Sequence, residues 1–180
     1  MSKYISLTAI GKDKFGIVSV IAEVLYKEKC NIEESTMTIL HGQFAMILII
    51  RLHSNTYTKT LLNKLKKNSQ SFPISLFYTD IDSYRPKKQV PRNPFIISVY
   101  GLDKTGIVYS ITKYLACNKI NITDVQTTLS KHEGKNTYIM VIESDFPANI
   151  SKEEISQGLF DLAESLNVTI SINQAESSDI

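Results

Sequence analysis

The apolar residues of this chain change their period several times along its length. Residues 4–10 and 95–100 are short runs of β-branched and aromatic side chains, the composition of strands. Each is followed by a loop and then by a stripe at helical spacing. The first stripe is Ile17, Ile21, Val24 and Leu25; the second is Ile107, Ile111, Tyr114 and Leu115. Asn31 and Asn121 follow these helices, and asparagine tolerates the turn conformation expected at their ends. Two strands joined by a hairpin come next. Residues 32–40 turn at His41-Gly42-Gln43 into 44–52, and 122–129 turn through Lys131-His132-Glu133-Gly134-Lys135 into 137–143. A second helix then carries Leu61, Leu62 and Leu65, with Asn55 or Thr56 expected as its cap. Its counterpart opens on Ser151-Lys152-Glu153-Glu154, a capping box in which hydroxyl and carboxylate satisfy each other's orphan amides. Ile155, Leu159, Leu162, Ala163 and Leu166 make the apolar stripe behind that box. Residues 74–78 and 168–172 supply a closing strand in each half.

The order strand, helix, strand, strand, helix, strand therefore occurs twice, and the residues repeat with it. Gly11-Lys12-Asp13-Lys14-Phe15-Gly16-Ile17-Val18 recurs as Gly101-Leu102-Asp103-Lys104-Thr105-Gly106-Ile107-Val108. At the same offset, identities continue through Ile21/Ile111, Leu25/Leu115, Lys29/Lys119, Asn31/Asn121, Ile32/Ile122 and Thr38/Thr128. Two copies are too few for a solenoid, so the pattern is a duplicated domain. The fold class expected is α+β: two tandem ferredoxin-like βαββαβ domains, each with helices on one face of an antiparallel sheet. Domain 1 is expected over 1–81 and domain 2 over 94–180. The stretch 82–93, with prolines at 86 and 91 and another following at 94, reads as an extended connector. The polar end of the chain, residues 173–180, reads as a fraying tail.

Charge and composition narrow the function classes. Lys and Arg total 20 and Asp and Glu 18, a net charge of +2, which excludes a polycation that binds nucleic acid by bulk charge. The halves differ: residues 1–90 hold 13 basic and 7 acidic side chains, and 91–180 hold 7 and 11. The basic half favours an acidic partner or forms a solvated face. No apolar run reaches the roughly 20 residues of a membrane span, and the start lacks a signal-peptide pattern, so the chain is expected in the cytoplasm. Cys30 and Cys117 read as free thiols of a reducing compartment. His41, His53 and His132 form no HxxxH pair and stand at no metal spacing, and neither a nucleophile elbow nor a phosphate loop is present. No metal, no cofactor and no catalytic role are expected.

The repeated Gly-x-Asp-Lys-x-Gly-Ile-Val carries the candidate chemistry. Gly16 and Gly106 stand where a helix begins, and its first amides lack internal partners and suit a carboxylate. Asp13 and Asp103, three residues earlier, are placed either to accept from an ammonium group or to cap the helix. Asn31 and Asn121 are expected to bring an amide back toward the same end of the sheet. Such a site is amphoteric and fits an α-amino acid; the alternative is a structural turn with no ligand.

The Asp-Lys-x-Gly-Ile-Val loop within βαββαβ resembles the ACT domain, a small regulatory module that often senses amino acids. The resemblance covers residues 3–80 and 94–173. Two such units at this length resemble the glycine cleavage system transcriptional repressor family. The resemblance implies ligand-binding positions at Asp13, Gly16, Ile17 and Asn31, and at Asp103, Gly106, Ile107 and Asn121. Serine-sensing relatives have Asn where Asp13 and Asp103 stand, which separates this chain from them. It further implies a small amino acid as ligand, glycine first. It implies a transcriptional activator protein as partner, no direct sequence-specific DNA binding, and a homodimer as one assembly. The alternative it leaves is a regulatory subunit of an enzyme of amino-acid or one-carbon metabolism.

Overall fold

The computed structural model describes residues 3–54, 56–81, 93–132, 135–148 and 150–175. Residues 82–92 of the expected connector, the expected cap Asn55, the hairpin tip Glu133-Gly134 and residues 176–180 of the expected tail lie outside the described residues, whereas Asn173 and Gln174 of that tail do not fray but pair in the closing strand. The chain divides into two compact units, Met1–Pro86 and Lys87–Ile180.

Unit 1 runs β1 (Tyr4–Lys12), α1 (Ile17–Lys27), β2 (Asn31–Leu40), β3 (Gln43–Arg51), α2 (Thr58–Asn68) and β4 (Ile74–Ile81). Unit 2 repeats this as β5 (Pro94–Leu102), α3 (Ile107–Cys117), β6 (Asn121–His132), β7 (Lys135–Asp145), α4 (Lys152–Leu166) and β8 (Val168–Gln174). The sheets have strand orders β2-β3-β1-β4 and β6-β7-β5-β8, antiparallel at every pairing. This is the expected ferredoxin-like α+β fold, twice. The duplication reaches features that identities do not reveal. Both second strands carry a bulge at the same place, between Ile32 and Glu34 and between Ile122 and Asp124.

Alternation sets the core. Ile5, Leu7 and Ala9 of β1 and Met46, Leu48 and Ile50 of β3 point to the helix side and are buried against Ile21, Leu25, Leu61 and Leu65. The same positions in unit 2 hold Phe95, Ile97, Val99, Met140 and Ile142 against Ile111, Leu115, Ile155 and Leu159. Burying one such side chain contributes roughly 1.5–3 kcal/mol, so each helix is held by its stripe more than by propensity.

Some termini differ from expectation. The residues in left-handed conformation after α1 and α3 are Lys29 (φ 56) and Lys119 (φ 58), not the asparagines. Cys30 N donates to Leu25 O at 2.9 Å and Lys29 N to Tyr26 O at 3.0 Å, a Schellman end that Ile120 and Lys119 repeat onto Leu115 and Ala116. Hydrophobic docking of the following residue selects this end, so the residue before it takes the positive φ. The cap of α2 is Tyr57, without a side-chain bond, because Thr56 Oγ1 instead donates to Glu28 O at 3.2 Å. The capping box of α4 forms as expected, Glu154 N to Ser151 Oγ at 3.2 Å and Ser151 N to Glu154 Oε2 at 3.1 Å. Cys30 and Cys117 are free thiols. No helix among the described residues is long and apolar enough to cross a membrane.

Candidate functional site

In each unit a three-residue loop leads from the first strand to a glycine that starts the first helix. Gly16 (φ 95, ψ −5) and Gly106 (φ 100, ψ −14) are both left-handed, a conformation in which any other residue is strained. The first helical bonds are Val20 N to Gly16 O and Ser110 N to Gly106 O, each 2.9 Å. The three amides before each of them precede the helical ladder. Neither helix has a side-chain cap or an acidic residue in its first turn. Asp13 and Asp103 therefore do not act as caps, and both helix starts offer amides with partial positive charge. Ile17 and Ile107 are 2% and 1% exposed, so their side chains anchor the helix in the core and only their backbone belongs to the loop.

The loop backbone is tied down on both sides in unit 1. Asp13 N donates to Gly42 O at 2.8 Å, in the two-residue turn where His41 (φ 47) and Gly42 (φ 74) reverse the chain. Lys12 N donates to Pro73 O at 3.0 Å, and Gly11 is required there because a Cβ would strike that carbonyl. Residues 69–73, the connection from α2 to β4, then reach over the loop. Lys14 Nζ donates to Ser71 O at 3.1 Å and lies 5.3 Å from the centre of the Phe72 ring. The Phe72 ring edge is 3.4 Å from where a Gly16 Cβ would stand, so this aromatic ring covers the glycine.

Unit 2 lacks that cover. Asn167 alone, left-handed at φ 54, joins α4 to β8, and among the described residues nothing stands within 4 Å of the Cβ direction of Gly106. Asp103 N donates to Asn136 O at 3.3 Å. Tyr138, paired with Gly101, takes the register position that Phe44 holds opposite Gly11. Burial and then the negative charge of Asp103 push the Tyr138 hydroxyl above its ordinary pKa, while a hydrogen bond with Thr127 pulls it down. Tyr138 and Phe72 are thus site residues that sequence reading missed. A polar-tipped aromatic in an apolar strand position was the signal for the first. The unequal helix-to-strand connections, five residues against one, were the signal for the second.

Asn31 and Asn121 are not brought to these loops within their own units. Asn31 pairs with Arg51, which pairs with Tyr4 at the start of β1, whereas the loop follows Lys12 at the other end. Eight strand steps of about 3.3 Å separate the two ends by about 26 Å. The expectation of a shared end fails because α1 carries the chain back before β2 begins. At that far end Asn31 Nδ2 donates to Glu33 Oε1 at 2.8 Å, and Arg51 Nε meets the same oxygen at 2.8 Å. Asn121 likewise pairs with Asp145 at the far end of its sheet. No cluster of three or more metal-ligating side chains occurs among the described residues.

A family model described as the ACT domain matches residues 3–79 and again 93–173. The chain is similar to the glycine cleavage system transcriptional repressor of Escherichia coli, 24% identical over 172 residues, covering 94% of this chain and 89% of that protein. A UPF0237 protein of Methanopyrus kandleri is 31% identical over 85 residues, 47% of this chain and 94% of its own length. Among solved structures, that of an unknown protein from Galdieria sulphuraria superimposes with a TM-score of 0.79 at 23% identity, covering 97% and 99% of the two chains.

Proposed function

Because the chain belongs to the ACT-domain family, with two such domains in tandem, we propose that it is a non-catalytic regulator. It senses a small amino acid and acts through a protein partner. The observation that carries this reading is the uncapped, glycine-started helix beside an exposed aspartate, present in each unit. The helix-start amides of Ile107, Val108 and Tyr109 receive a ligand carboxylate, and Asp103 accepts from its ammonium group. Gly106 lets the ligand approach the backbone closely. The unit 2 loop is the open one, so it is the site that fills. In unit 1, Phe72 and Lys14 occupy the corresponding approach. Relatedness to the glycine cleavage repressor of Escherichia coli makes glycine the first ligand to try.

The regulated process we propose is transcription, through a DNA-bound activator. Ligand binding that favours one arrangement of the protein changes its affinity for such a partner by the same coupling free energy. DNA reading needs an element that enters a groove with base-contacting side chains. The helices here spend one face on their sheets, and a net charge of +2 gives little counterion release. The test is a thermal-shift screen of the amino acids, glycine first, paired with a promoter mobility shift. A glycine-dependent rise in melting temperature and no retardation of DNA by this protein alone are expected. No stabilisation by any amino acid overturns the sensing reading, and tight sequence-specific retardation overturns the co-regulator reading.

A further inference from the structure

The second helices of the two units present matching faces of opposite charge. Buried residues align them: Leu61 and Leu65 of α2 correspond to Ile155 and Leu159 of α4, a shift of 94 positions. Ser69, also buried, then corresponds to Ala163. Under this alignment Lys59 stands where Glu153 does, Asn63 where Gln157 does, Lys66 where Phe160 does, and Lys67 where Asp161 does. These four positions are spaced i, i+4, i+7 and i+8 and so form one stripe on each helix. All eight residues are solvent-exposed.

Neither stripe is neutralised by its own unit. On α2, Lys64 faces α1 and pairs with Glu28 at 2.6 Å, while Lys59, Lys66 and Lys67 have no ion pair among the described residues. Helix α2 carries these four lysines and no acidic residue. On α4, Gly158 occupies the position of Lys64 and admits Tyr114 of α3, so that flank is likewise used internally. The opposite flank keeps Glu153 and Asp161, with Gln157 Nε2 holding Asp161 Oδ1 at 3.0 Å. Phe160, 47% exposed, sits between them. An open groove lined by Phe160, Glu164, Asn167 and Thr169 continues the stripe to the edge of β8.

We propose that the α4 stripe of one chain takes the α2 stripe of a second copy. The two faces have the same spacing because they descend from one scaffold, and at two of the four positions, 59/153 and 67/161, their charges are opposite. Lysine stems cover the Phe160 ring, with the ammonium groups reaching Glu153, Asp161 and Glu164. Each copy owns one basic and one acidic stripe. The contact therefore joins α2 of one chain to α4 of another. Like stripes repel, which sets the register of the pairing. This interface goes beyond the sensing function and stands whether or not an amino acid binds.

The experiment is analytical ultracentrifugation of the full chain with paired charge reversals. The natural chain is expected to dimerise at low salt and to dissociate as salt screens the stripes. Lys59→Glu/Lys67→Glu and Glu153→Lys/Asp161→Lys are each expected to weaken self-association by roughly tenfold or more. Mixing the two variants restores the association, because the reversed, acidic α2 of one then meets the reversed, basic α4 of the other. Circular dichroism confirms that both variants are folded, the substituted positions being exposed. A natural chain that stays monomeric at low salt, a dimer that neither reversal weakens, or a mixture that stays monomeric each overturns the proposal. Capture of α2 by DNA, seen as salt-sensitive binding of the monomer to random-sequence duplex, overturns it as well.

Discussion

Set side by side, the two units share one backbone and differ in one connection. Both start α1 or α3 at a left-handed glycine, both end it with a left-handed lysine, and both bulge the next strand at one position. They part where the second helix returns to the sheet. Unit 1 spends residues 69–73 on that return and lays Phe72 against Gly16; unit 2 returns through Asn167 alone and leaves Gly106 uncovered. Duplication thus preserved what the fold requires, the glycine torsion and the core stripe. The loop that covers or uncovers the helix start was free to change.

The sharpest way to break the comparison is at the paired glycines of the first strands. In Gly11→Ala the new methyl meets the backbone carbonyl of Pro73, which is fixed by Lys12 N. In Gly101→Ala it meets Cγ1 of Val168 at 2.7 Å and that residue's Cβ and Cα at 3.1 and 3.2 Å, with backbone farther away than at Gly11. The expected losses are about 3 kcal/mol for the first and about 1 kcal/mol for the second. Urea unfolding of the full chain, read at its first transition, measures both; equal losses would mean that the two returns are equally rigid.

The next effect is on binding. Asp103→Ala leaves a ligand ammonium without its partner, so affinity falls by about 1–3 kcal/mol. Asp13→Ala, beside the covered glycine of unit 1, is expected to leave affinity unchanged. A titration in which Asp13→Ala weakens binding as much as Asp103→Ala does would erase the distinction between the units.

Smaller still is the contrast between helix starts. Ser151→Ala removes the hydroxyl that accepts from Glu154 N, leaves the backbone N–H that donates to Glu154 Oε2, and is expected to cost about 1 kcal/mol. Thr56→Ala, whose hydroxyl donates to Glu28 O without capping α2, is expected to cost about half as much. Thermal melts of the two variants order these effects.

Tyr138→Phe makes the register position of unit 2 match Phe44 and has the smallest effect, within about 0.5 kcal/mol at neutral pH. Because the folded pKa of Tyr138 is raised from 10.0, its contribution is full below that pH and is lost as pH rises through the folded value. The variant is therefore expected to lose less stability than the natural chain above pH 10. A steeper alkaline loss in the variant would contradict the placement of Tyr138 beside Asp103.

Most of the fold was readable because periodicity and repetition agreed. The stripes of α1 and α3, the Ser151 box and the strand order all follow from local spacing. Reading failed where the answer depends on direction or on distant contacts. Asn31 lies next to a helix end in sequence, yet the 11-residue helix α1 has already returned the chain to the start of β1. Asn55 or Thr56 matched the composition of a cap, but Thr56 found a closer acceptor on the preceding connection. Of the site, Asp13, Gly16, Asp103 and Gly106 were visible as a repeated motif. Phe72 was not, because only the folded return of α2 brings it to Gly16.

The central claim is that the uncovered loop of unit 2 is the amino-acid site and that Phe72 closes its twin. Calorimetric titration of glycine into the full chain and into Phe72→Ala tests it most directly. One ligand per natural chain is expected, abolished or severely weakened by Asp103→Ala, and two per chain once Phe72 is removed. Two equal sites in the natural chain, or one site that survives Asp103→Ala and disappears with Asp13→Ala, would contradict it.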